Sequence, residues 1–173
     1  MRRIEDGSHL PRPGLCQPVS SGPQTEAMPA DLDDRTLDYV LQARPVFDRI
    51  GRISGQLSGL LILAATGARS AQGHPMFALI QEAEAGLADE MASLHPTGAA
   101  GHHHRHLCLA VRAVSRAVTV ARQGLHVWDE AMMDEMTAAL RRANQELQWA
   151  TAALPGFAVV DLRQACCAMH MRS

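Results

Sequence analysis

Five of the nine histidines of this 173-residue chain fall between His95 and His106, and Cys108 follows directly. Imidazole nitrogen and thiolate sulfur together suit zinc or copper better than magnesium or calcium. Residues four apart on a helix share a face, so His102 pairs with His106, and His104 with Cys108. Cys166 and His170 repeat that spacing near the C-terminus. With His95, these seven residues form the candidate donor set for a zinc or copper ion. Haem is the other group such a set could hold. Extending the apolar repeat backward from Leu107 places His104 and Cys108 inward and His102 and His106 outward. Both donor types must be free of protons to ligate, so affinity should fall toward pH 5.

Other chemistries are excluded by what is missing. All sixteen basic residues are Arg, which removes Schiff-base lysines and the P-loop lysine together. There is no nucleophile elbow, glycine-rich phosphate loop or H-E-x-x-H helix. The expectation is therefore a non-enzymatic protein. The H-x-x-x-H of His102 and His106 is similar to one element of hemerythrin-like di-iron bundles, whose other histidines and carboxylates have no matching positions here. The E-x-x-H of ferritin-like carboxylate bundles is absent, as is the C-x-x-C-H of covalent haem attachment.

A net charge of −2 leaves no electrostatic footprint for nucleic acid. No apolar run approaches the roughly 18 residues of a membrane span, and the first thirty residues lack the apolar core of a secretory signal. The cytoplasm is the expected compartment. Four cysteines, two of them adjacent at Cys166 and Cys167, do not form a disulfide framework and are read as free thiols.

The elements that must position these residues are helices. Aromatics make up only 3% of the chain, so the core must come from aliphatic residues, Met and Ala. Residues 1–30 hold Pro11, Pro13, Pro18, Pro23 and Pro29 with almost no periodic apolar residues, and are read as a disordered tail. The first helical pattern starts at Asp33, with Leu37, Val40 and Leu41 as an apolar patch. It continues through Phe47, Ile50, Ile53, Leu57 and Leu60 to about Gly67. Pro45 should kink or break it near Ala43 and Arg44.

A second helix runs from Pro75 to about Leu94, with Glu84 interrupting an apolar seam. The third repeats at Leu107, Val111, Val114, Val118, Ala121 and Leu125. The fourth, capped by Asp129, repeats at Met133, Met136, Leu140, Ala143, Leu147, Ala150 and Leu154 until Pro155-Gly156 stops it.

The predicted fold is all-α, an antiparallel up-down four-helix bundle over residues 31–155 with a short C-terminal appendage, 156–173, packing on it. That topology would gather the histidines of 95–106, Cys108 and the tail donors at one pole. Gly51, Gly55 and Gly59 recur every four residues, and glycine costs about 1 kcal/mol per helix position relative to alanine. The strip should therefore admit a close neighbouring helix, either of this chain or of a second copy. A homodimerising or helical-partner-binding bundle without cofactor is the alternative function.

Overall fold

Asp33 caps the first helix: its side chain accepts from the Thr36 backbone N–H at 2.7 Å. That bond holds the Asp33 carboxyl below the usual carboxylate range. In the computed structural model, which describes residues 32–66, 74–124 and 130–157, the chain is all-helical, with no strand among the described residues. The helices are α1 (Asp34–Ala65), α2 (Pro75–Glu84), α3 (Leu87–Ser93), α4 (Gly101–Gly124) and α5 (Glu130–Ala153). None is long and apolar enough to cross a membrane.

Of the kink or break expected at Pro45, the break does not occur: α1 runs as one continuous helix through it for 32 residues. Proline removes one donor and normally disrupts a helix interior by about 3 kcal/mol. Here Pro45 and Leu41, whose carbonyl loses its partner, are both exposed, so water can satisfy that oxygen. Ala43, Val46 and Phe47 are buried around the proline and hold the helix to the core. Leu41 is 62% exposed, so it leaves the apolar patch predicted for it with Val40.

The predicted second helix is broken instead. Gly86 adopts φ 76°, a left-handed conformation that ends α2 and starts α3, and glycine is the residue that enters it without Cβ strain. The seam survives the break: Ile80, Leu87, Met91 and Leu94 are all buried. Glu84, at the α2 end, accepts from Ser115 Oγ of α4 at 2.8 Å. His74 caps α2 through Nδ1, which accepts from Met76 N.

The repeats of α4 and α5 are buried from Leu107 to Ala121 and from Met136 to Leu154, whereas Met133 at the start of the α5 repeat is only partly buried. Leu107, Val111, Val114, Val118 and Ala121 meet Met136, Leu140, Ala143, Leu147 and Ala150 in one core with Ile50, Ile53, Leu57 and Leu60 of α1. Each fully buried aliphatic side chain contributes roughly 1.5–3 kcal/mol, which explains how a chain so poor in aromatics packs. Polar pairs link the elements: Arg116 of α4 with Glu135 of α5, Arg49 of α1 with Glu90 of α3, and Thr36 of α1 with Thr97 of the loop before α4.

The glycine strip does not face another helix among the described residues. A methyl group at Gly51, Gly55 or Gly59 would meet nothing within 4 Å. The strip points outward because α1 buries its opposite side, through Ile50, Ile53, Leu57 and Leu60. The tail 1–30 and the appendage beyond Phe157 lie outside the described residues, as do Asp129, Leu125, Cys166, Cys167 and His170.

Candidate functional site

The first two turns of α4 carry the histidines, and the helix period deals them to different environments. His103 is fully buried. His104 and His106 are partly buried, and His102 is exposed. The inward position is therefore His103, not His104 as the backward extension of the repeat predicted. Ala100, His103, Leu107 and Ala110 form the buried stripe, reached by a step of four where the extension took three.

Tyr39 from α1 selects His103 for the interior. Its hydroxyl lies 2.8 Å from His103 Nδ1, and the two rings meet edge to face at 5.6 Å. Phe157 closes the other side with its ring centroid 4.2 Å from the imidazole. Phe157 is itself fully buried and packs on Phe47 at 5.1 Å. Arg44 donates to the Gly156 carbonyl, which fixes the backbone just before it.

Burial, reinforced by the neighbouring His104 and His106, pushes the His103 imidazole down to about 4. Burial likewise holds the Tyr39 phenol well above its usual range, with a smaller contribution from Cys108. Both groups are neutral at pH 7. His103 Nε2 is buried with no hydrogen-bond partner.

A second polar group bridges α4 and α5. Glu146 is fully buried, and its Oε2 lies 2.7 Å from His106 Nδ1. Arg142, one turn earlier on α5, brings Nη2 to 2.6 Å from Oε1. That pair neutralises the carboxylate by proximity, but its angle leaves Oε1 without a true hydrogen bond. A carboxylate can only accept, so Nδ1 of His106 carries the proton in their bond. Trp149 packs against the His106 ring at 5.5 Å, with Arg142 over the indole at 5.8 Å.

His102 and His106 line one cleft of about 620 Å³ between α4 and α5, together with Ala99, Arg105, Trp149, Ala152 and Ala153. His106 is thus an oriented imidazole against a cleft wall rather than a free outward side chain. The chain matches no protein-family model, no curated protein and no solved structure. Its chemistry must be read from these residues alone.

His104 and Cys108 stand one turn apart, both half-buried, and His104 Nδ1 has no hydrogen-bond partner. Burial lowers the His104 imidazole and raises the Cys108 thiol, against a smaller opposing effect of Arg112. His95 sits apart. It is exposed on the loop before α4 and lines a different cavity, of about 880 Å³, with Asp33, Asp34, Arg35, Asp38, Tyr39, Gln42, Pro96, Thr97 and Gly98. Among the described residues no three His, Cys, Asp or Glu side chains converge as a metal-binding group.

Sequence reasoning passed over Tyr39, His103 and Glu146. The signal for Glu146 was its place one residue before Leu147 on the buried side of α5, where a carboxylate needs a partner.

Proposed function

We propose that this chain is a non-enzymatic helical bundle whose histidine-rich pole holds a transition-metal ion, zinc or copper, with His102 and His106 as its first donors. One observation carries the reading: His106 Nδ1 is tied to the buried Glu146 carboxylate. A metal-ligating imidazole characteristically donates its other N–H to a carboxylate, which fixes the tautomer and leaves Nε2 for the ion. His102 shares the same cleft. Cys166 and His170 are the donors proposed to complete the set. The Cys108 thiol, raised by burial, is a poorer source of thiolate.

An antiparallel up-down arrangement would bring the C-terminal tail to this pole. The pairs His106–Glu146 and Arg116–Glu135 support it for α4 against α5, since their positions run in opposite directions along the two helices. The free Cys108 suits a cytoplasmic setting.

The test is metal titration of untagged, chelator-dialysed protein with zinc and with copper(II). Stoichiometric binding is expected, lost in His102→Ala and in His106→Ala and weakened about 10–100-fold in Glu146→Gln. Absence of binding would refute the reading. So would binding that survives both histidine variants and disappears in His104→Ala.

A second reading is favoured by the open strip on α1. Gly51, Gly55 and Gly59 have room for a neighbour, and Leu41 and Ile62, at 62% and 64% exposure, extend the same helix surface. Small residues let two helices approach closely, so this strip suits a homodimer or a helical partner. Solution mass should then halve in Gly55→Leu; an unchanged mass removes this reading.

A further inference from the structure

Besides His102 and His106, the α4–α5 cleft holds Arg105, Trp149 and three alanines, which a metal reading does not use. Among the described residues it is lined by His102, Arg105 and His106, by Ala99, Ala152 and Ala153, and by Trp149. Among the described residues no carboxylate lines it. Glu146 is buried and already engaged by His106 and Arg142. Arg105 and His102 make no hydrogen bond or ion pair among the described residues, so their donors face the cleft uncommitted.

Trp149 remains 43% exposed although His106 and Arg142 pack on it. Those two contacts hold the indole in place, and the alanines beside it leave a flat apolar wall. The cleft, of about 620 Å³, is shallow and open to solvent, so a ligand there would have to be flat. The larger cavity offers the opposite chemistry, because Asp33, Asp34 and Asp38 outnumber Arg35 there.

We propose that this cleft binds a flat aromatic carboxylate, its ring against Trp149 and the alanines and its carboxylate paired with Arg105. Arg presents a planar fork of donors that matches a carboxylate in two parallel hydrogen bonds. The ring supplies the apolar contact that a free inorganic anion lacks, and aromatic pairs favour offset-stacked or edge-to-face packing on an indole. The site is complete without a metal.

The full-length, metal-free protein, titrated calorimetrically with 2-naphthoate and separately with the neutral 2-naphthylmethanol, tests this. Saturable one-to-one binding of naphthoate is expected, at least tenfold tighter than the alcohol. Arg105→Ala should weaken it roughly tenfold, the scale of one charge-assisted contact, and Trp149→Ala should do the same. Both side chains are exposed, so the variants should keep the parent's helical circular dichroism and melting. Arg35→Ala, in the other cavity, should bind naphthoate as the parent does. No binding at millimolar naphthoate, equal affinity for the alcohol, or full retention in Arg105→Ala would each overturn the proposal.

Discussion

Acid should unfold this protein through His103 before the carboxylates as a class are protonated. The imidazole is fully buried and its pKa is depressed from the usual value near 6.5 to about 4. In the unfolded chain it takes up a proton near pH 6.5; in the folded chain it resists until about pH 4. Between those values the unfolded state binds more protons, so stability falls as pH falls. The contribution is fully present above pH 6.5 and lost by about pH 4. At about 1.4 kcal/mol per pH unit, the loss totals about 3 kcal/mol, a large share of the 5–15 kcal/mol typical of a domain. The charges nearest the imidazole reinforce the effect, because His104 and His106 both oppose its protonation.

The assay is urea unfolding at pH 7.5, 6, 5 and 4 for the parent and for His103→Gln, which cannot titrate at this position. Carboxylates common to both proteins cancel in the difference. The parent should lose about 3 kcal/mol more than the variant across the series, with most of the divergence between pH 6 and 4. Parallel curves would refute the reasoning, since they would mean that the buried imidazole protonates in place without cost.

Tyr39 is the only tyrosine in the chain, and its raised pKa predicts that phenolate absorbance at 295 nm appears only together with loss of helix above pH 10. Reversible ionisation near pH 10 with helicity intact would contradict its burial beside His103. Gly86→Ala should cost about 1–2 kcal/mol in urea unfolding, because the site has room for a methyl group and the penalty is the left-handed backbone alone; an unchanged midpoint would mean that the α2–α3 break relaxes. Arg142→Ala should cost about 1–2 kcal/mol by stranding Glu146 Oε1 away from any cation, and most of that loss should vanish in a Glu146→Gln background. Additivity of those two substitutions would show that Arg142 and Glu146 do not act as a pair.

The helical periodicities of α4 and α5 were legible because aliphatic side chains at steps of three and four have one way to leave water. Their buried positions follow the sequence pattern from Leu107 to Ala121 and from Met136 to Leu154. The candidate site was legible as a place but not in its details. Ala100 and Leu107 lie seven apart, so either His103 or His104 could complete the stripe between them, and the choice fell to Tyr39, 64 residues away in sequence. Glu146 escaped notice because its partner, His106, sits 40 residues away on another helix. Pro45 and Gly86 mislead in opposite senses. A proline on a solvent-facing side is tolerated, while one glycine within an otherwise continuous seam divides a helix in two.

Phe157 carries the folding unit past its last helix. Helix α5 stops at Ala153, and a chain cut there would look complete by its secondary structure. It would nonetheless lack the ring that covers His103 and packs on Phe47, and Arg44 would lose the Gly156 carbonyl that it holds. The interior of the pole would then open to water on the side where its imidazole is most costly to charge. The folding unit therefore extends at least four residues past the helix, and a proteolytic nick between Ala153 and Phe157 would act as a core lesion rather than a surface cut.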